Sequence, residues 1–183
     1  MIKLIEVRLH GRGGQGVVTA AELLAVAAFT DGKVAQAFPS FGSERMGAPV
    51  ESFVKIDDKP IRSRSQITSP DYVIVQDPTV ISVVDVFRGL KNGGLVIVNT
   101  EKKPTELNLQ TKAKVITVPA TNIANEIMGR PIPNTALMGA FAGATNLIKI
   151  ESIERCIKER FQGELGEKNA KAARAAYDYV RRS

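Results

Sequence analysis

Tryptophan is absent from this 183-residue chain, histidine and cysteine occur once each, and aromatic residues make up only 5%. Each scarcity closes a route. A single cysteine, Cys156, excludes an internal disulfide and any iron–sulfur cluster or zinc site built from this chain alone. A single histidine, His10, far from that cysteine in sequence, makes a His-centred hydrolytic site improbable. So few aromatics leave no stacking surface for single-stranded nucleic acid. No apolar run is long enough to span a bilayer, and Met1-Ile2-Lys3 leads straight into a strand-like pattern. Neither a signal peptide nor a membrane contact is therefore expected, and a reducing cytoplasm is the natural compartment.

What is present is ordinary for a globular protein: 44% hydrophobic and 24% charged residues, in a length that fits one domain over 1–183. The net charge of +6 and pI near 9.5 suit an anionic ligand, an acidic partner or nucleic acid without choosing among them. Alternation from Leu4 to His10 predicts a strand, and the Ala- and Leu-rich stretch Val17 to Asp31 predicts a helix. Strands follow at Lys33 to Phe38 and Val50 to Ile56. Asp57-Asp58 then makes a turn, and Pro60-Ile61-Arg62 starts a return, which predicts an antiparallel hairpin. Tyr72 to Val75, Leu95 to Val98 and Val115 to Val118 are short apolar runs typical of buried parallel strands. Asp77-Pro78 reads as an N-cap and first residue of a helix running towards Leu90. Further helices are expected at Thr121 to Met128, Thr135 to Leu147, Ile150 to Phe161 and Glu167 to Arg181. The order is that of an α/β protein: a Rossmann-like, doubly wound, mostly parallel sheet with an antiparallel hairpin and C-terminal helices.

The stretch Gly11-Arg12-Gly13-Gly14-Gln15-Gly16 lies between the first strand and the first helix. Glycines there permit close approach of a phosphate, and a helix start offers unpaired N–H groups and partial positive charge. An NAD site usually adds an acidic residue at the end of the second strand; here that end is Gln36-Ala37-Phe38-Pro39. A second ordered loop, Ser40 to Pro49, shows neither helical nor strand periodicity.

Taken together, His10 to Gly16, Gln36 to Pro39, Glu44-Arg45-Met46-Gly47-Ala48-Pro49, Ile132-Pro133-Asn134-Thr135-Ala136 and Glu167-Lys168-Asn169 resemble the gamma subunit of 2-oxoacid:ferredoxin oxidoreductases. The form His-Gly-Arg-Gly-Gly-Gln-Gly with Glu-Arg-x-Gly-Ala-Pro is most similar to the pyruvate type. The resemblance implies a piece of an enzyme that oxidatively decarboxylates a 2-oxoacid, releases an acyl-CoA and sends electrons to ferredoxin. It also implies that thiamine diphosphate, magnesium and the iron–sulfur clusters sit in partner subunits of alpha, beta and delta types, while this chain is associated with coenzyme A. A polyanionic coenzyme A suits a helix start and a basic chain, and its 3′-phosphate has no use for an acid at the second strand.

The expected ligand-binding set is Gly11, Arg12, Gly13, Gly14, Gln15, Gly16, Ser43, Glu44, Arg45 and Asn134, with no catalytic residue and no metal ligand. Each has a plainer reading. The glycines could serve strand–helix packing, and Arg12 and Gln15 could contact a neighbouring subunit. Glu44 and Arg45 could form an ion pair fixing their loop, Ser43 could cap a turn, and Asn134 could cap a helix. Phe41 and Met46 read as interface anchors, His10 as a satisfied loop or core histidine, and Cys156 as buried packing. A free-standing NAD(P)-binding oxidoreductase and a purely structural subunit stand as alternatives.

Overall fold

In the computed structural model residues 3–40 and 45–183 are described. The expectations placed on Phe41, Ser43 and Glu44, including the Glu44–Arg45 ion pair, lie outside them. The strands are β1 (Ile5–Arg12), β2 (Val34–Pro39), β3 (Pro49–Asp57), β4 (Tyr72–Val75), β5 (Leu95–Asn99) and β6 (Lys114–Val118). The helices are α1 (Val17–Thr30), α2 (Ala120–Met128), α3 (Asn134–Thr145), α4 (Ile150–Arg160) and α5 (Glu164–Arg182). One sheet holds all six strands in the order β2-β3-β1-β4-β5-β6. The pairings β1–β4, β4–β5 and β5–β6 are parallel, while β3 runs antiparallel to both β1 and β2. The chain thus winds outward from β1 in both directions, in the α/β arrangement that the alternation of elements predicts.

Strand alternation sorts the side chains into two layers. Val7, Leu9, Val54, Ile56, Ile74 and Ile97 join one core with the buried faces of α1, α3, α4 and α5. Their neighbours Val73, Val75, Val96 and Val98 face the other way and are covered by Val80 and Val86. On that second face Phe38, Phe53 and Ile67 form a separate small cluster. The helices lie on the first face, and irregular segments and short turns cover the second.

Three expectations change. β1 does not stop at His10, because Gly11 and Arg12 pair with Val50 and Pro49 of β3. The antiparallel hairpin exists, but the partners of β3 are β2 and β1; Pro60-Ile61-Arg62 forms no strand. The carbonyls there are satisfied by side chains instead, with the Gln36 amide donating to the Ile61 carbonyl at 2.8 Å. The helix expected from Asp77 to Leu90 is a single 3₁₀ turn, Pro78–Ser82. Its start signal holds, since the Asp77 carboxylate accepts the Thr79 N–H at 2.9 Å. The run that follows contains Val80, Ile81, Val83 and Val84, whose branched side chains favour a helix weakly, and burial of Val80 and Val86 on the sheet sets the path instead. Smaller shifts occur at helix ends: α3 stops at Thr145, where Asn146 turns left-handed with φ 54.

α3 is buried along most of its length and crosses α5 on small residues. A Cβ on Gly139 would lie 1.8 Å from the Ala173 carbonyl oxygen, so the two backbones can touch only through glycine. Gly139→Ala is expected to destabilise the chain by about 3 kcal/mol, the upper end of the cost of an overpacked core. Denaturant unfolding measures it, and a stability equal to wild type would show that the helices part without penalty.

Candidate functional site

The glycine loop is held from three sides. Against the second loop, the Gly13 N–H donates to the Ala48 carbonyl at 2.8 Å and the Gly47 N–H donates to the Gly13 carbonyl at 3.0 Å. Within the loop, the Arg12 N–H donates to Gln15 Oε1 at 2.8 Å and the Gln15 N–H to the Arg12 carbonyl at 3.2 Å. Below it, the Gln76 amide nitrogen donates to the Gln15 carbonyl, and the Gln15 amide nitrogen donates to Asp77 Oδ2 at 2.7 Å. The Arg12 guanidinium reaches Thr79 Oγ1 and the Gly47 carbonyl, both at 2.9 Å, and lies 3.6 Å from Asp77.

The glycines answer to this packing. Gly14 and Gly16 have φ of 88 and 74, a region that side chains rarely adopt. A Cβ would meet Val17 Cγ2 at 2.5 Å from Gly11, Met46 Sδ at 2.3 Å from Gly14, and Asn134 Nδ2 at 2.6 Å from Gly16. Asn134 therefore sits buried beneath the loop, on the first turn of α3. It is not the cap: Pro133 holds that place, and Asn134 Oδ1 accepts its neighbour's N–H, from Thr135, at 2.8 Å. Thr135 in turn donates its hydroxyl to Asn169 Oδ1 at 2.9 Å, which joins the start of α3 to the Glu167-Lys168-Asn169 stretch of α5. Arg45 is exposed on the second loop, where its carbonyl accepts the Ala48 N–H at 3.0 Å, and among the described residues its side chain makes no hydrogen bond to the glycine turn.

Next to the loop a cleft of about 380 Å³ opens over the carboxyl ends of β4 and β5, lined by Gly14, Gln15, Gln76, Asp77, Asn99, Thr121 and Ile132 among others. It lies where the strand order reverses between β1 and β4, the place where open α/β sheets bind ligands. Asn99 spans its floor, its amide donating to the Gln76 carbonyl at 2.9 Å and to Thr121 Oγ1 at 2.8 Å, while its oxygen accepts the Thr121 N–H at 3.1 Å. In the cleft wall one polar atom is left over: the buried Gln76 Oε1 has no hydrogen-bond partner among the described residues, as is also true of Gln36 Oε1 and Ser52 Oγ elsewhere. Burial would push the Asp77 carboxyl up, but bonds from Thr79 and Gln15 outweigh it, with Arg12 adding attraction, and its pKa ends below the usual carboxylate value. The cleft is thus walled by amides, a hydroxyl and one ionised, hydrogen-bonded carboxylate.

Gln76, Asn99 and Thr121 did not stand out in the sequence. Their signal was positional: Gln76 follows β4, Asn99 ends β5, and Thr121 opens the helix after β6. A second group without a sequence signal lies behind the loop. Arg8 is fully buried, its Nε donating to His10 Nε2 at 3.0 Å, and its terminal nitrogens to the carbonyls of Ile67, Val86 and Arg88 at 3.4, 3.1 and 2.7 Å. His10 accepts from Arg8, lies 3.7 Å from Glu51, and is a satisfied structural histidine. Cys156 is buried, packed as expected.

The fold is that of a Rossmann-like α/β protein with a cleft at its switch point. The family model for pyruvate ferredoxin/flavodoxin oxidoreductase matches residues 6–179. Pyruvate/ketoisovalerate oxidoreductases common subunit gamma of Pyrococcus furiosus is 61% identical over 178 residues, 96% of each chain. Pyruvate synthase subunit PorC of Methanothermobacter marburgensis is 56% identical over 180 residues, 98% of this chain and 99% of that one. The crystal structure of pyruvate oxidoreductase subunit PORC from Thermotoga maritima superposes with a TM-score of 0.86 at 37% identity, over 97% of each chain. The chain belongs to the pyruvate ferredoxin/flavodoxin oxidoreductase family, as a gamma subunit of the pyruvate type. Its enzyme class is that of oxidoreductases acting on the oxo group of 2-oxoacids. Among the described residues no helix is long and apolar enough to cross a membrane.

His10 provides a pH test. Burial, then the charges of Arg8 and Arg88, pull its pKa from 6.5 down to about 3. Below pH 6.5 the unfolded chain binds a proton that the folded chain refuses, so stability at this site falls as pH drops towards 3. His10→Gln keeps an acceptor for Arg8 and removes the titration. Its unfolding free energy, followed from pH 7 to 4, is expected to fall less steeply than wild type by up to about one proton. Equal slopes would mean that His10 is charged in the fold.

Proposed function

We propose that the cleft beside the glycine loop receives coenzyme A within the assembled oxidoreductase, and that this chain otherwise serves assembly. The observation that carries the reading is the unpartnered Gln76 Oε1, a buried acceptor in the wall of a switch-point cleft. The pantetheine arm of coenzyme A carries two amide N–H groups, and an acceptor of this kind suits one of them. Asn99 and Thr121 would orient the arm, and Gly14 would let it pass close to the backbone. The phosphates would stay outside the cleft, whose described lining holds no cation, on the side of Arg130, the residue before the lining residue Pro131. Coenzyme A supplies the thiol that takes the acyl group. Thiamine diphosphate with magnesium and the iron–sulfur clusters then belong to alpha, beta and delta subunits, ferredoxin is the acceptor, and the compartment is the cytoplasm, where the reduced Cys156 fits.

One observation favours a purely structural role for the loop. The Cβ positions of Gly11, Gly14 and Gly16 are met by the protein's own atoms, so these three glycines are explained without a ligand. For this reason we place the ligand on the cleft that the loop walls, with the loop's own hydrogen bonds holding the wall in shape. A dinucleotide reading is weaker, because β3 lies between β1 and β2 and carries the end of β2 two strands away from the cleft.

Ile132 lines the cleft and is 42% exposed, so it can be changed without disturbing the core. In the assembled enzyme Ile132→Glu is expected to raise KM for coenzyme A about tenfold, the scale of one like charge near a phosphate at a partly solvated rim, with kcat unchanged. Ile132→Lys is expected to leave KM equal or lower. If neither variant moved KM for coenzyme A, the cleft would not be its site.

A further inference from the structure

The segment between β3 and β4 crosses the sheet face opposite the helices without forming regular structure, and the sheet holds it with buried and half-buried polar side chains. Gln36 donates to the Ile61 carbonyl at 2.8 Å, Lys55 Nζ donates to the Ser63 carbonyl at 3.3 Å and lies 3.4 Å from Ser65 Oγ, and Arg8 donates to the Ile67 carbonyl at 3.4 Å. Ile67 anchors the far end between Phe38 and Phe53. Burying Arg8 and Lys55 is costly, and fixing an otherwise polar segment costs about 1–2 kcal/mol of backbone entropy per residue.

What this platform presents is positive charge. Residues 59–66 contain Lys59, Arg62 and Arg64 and no acid. Arg62 and Arg64 are both exposed, and neither makes an ion pair or side-chain hydrogen bond among the described residues. Arg45, Arg130 and Arg182 are likewise exposed without such a partner among the described residues, but only Arg62 and Arg64 stand together on a backbone that buried side chains of the sheet hold in place. Two unengaged planar donors on a pinned backbone are pre-organised for carboxylates, which they can grip in bidentate fashion with little entropy left to lose.

We propose that the strap of residues 59–66 is a docking surface for an acidic face of another subunit of the oxidoreductase. The surface is separate from the coenzyme A cleft, which shares none of these residues, and the proposal does not depend on that reading.

The test compares the reconstituted complex carrying wild-type chain with one carrying Arg62→Glu and Arg64→Glu together. Subunit affinity is followed by sedimentation and native mass spectrometry across a salt series. The double variant should fold normally, its melting temperature within about 2 °C of wild type, because both side chains are exposed and unpaired. Its affinity for the other subunits at low salt should drop at least about tenfold, with a flatter salt dependence, and a double Lys variant should recover most of the loss. Unchanged affinity and salt slope would overturn the proposal. So would intact assembly with a raised KM for the soluble electron-acceptor protein, which would assign the strap to that carrier instead.

Discussion

The paired backbone bonds between Gly13 and the Gly47-Ala48 turn are the constraint on which the site depends. They tie the two loops together just beyond the end of the β1–β3 pairing, so that two stretches more than thirty residues apart behave as one wall. On the glycine-loop side of that seam a side chain would clash, because Met46 presses on Gly14 and Asn134 on Gly16. With the wall in place, Gln15 can brace Asp77 and accept from Arg12 at the same time. Asp77 then both caps the following turn and fixes the loop, and its carboxylate is kept ionised by the same bonds.

The cleft follows from topology more than from the loop. β1 is the branch point of the sheet: the chain leaves it one way through α1 to β2 and β3, and the other way to β4, β5 and β6. Side chains at the ends of adjacent parallel strands converge there because no crossover covers the gap. Gln76 and Asn99 belong to that convergence, linked to each other and to Thr121 by a short chain of amide bonds. Such a network is rigid when each member is satisfied, and the one unsatisfied oxygen stands out against it.

The opposite face is organised by charge. Arg8 occupies a position that strand alternation assigns to the non-helical side, and there it reaches three carbonyls from two irregular segments. Lys55 and Gln36 act likewise further along. Polar side chains thereby do the work that helices do on the first face, and the result is a strap whose outer surface is free for a partner. The two faces thus differ in chemistry, with an amide-lined cleft at the strand ends and a cationic strap across the sheet.

Much of this was legible in order along the chain. Short-range signals determined the strands of apolar alternation, the helix starts at Asp77-Pro78 and after Gly16, the α/β class and the family resemblance, because periodicity, capping and motif spacing depend on neighbours in sequence. Composition alone also excluded an iron–sulfur cluster built from this chain, since one cysteine cannot hold one. Only the tertiary structure decided that β3 pairs with β1 and β2 instead of with Pro60 to Arg62, that the branched residues after Pro78 give one turn in place of a helix, and that Asn134 supports the loop instead of capping α3. It alone brought Gln76, Asn99 and Thr121 together and turned Arg8 inward. The physical reason is the same in each case: these choices rest on which distant backbone groups and cavities become available once the sheet has formed, and a local pattern carries no record of them.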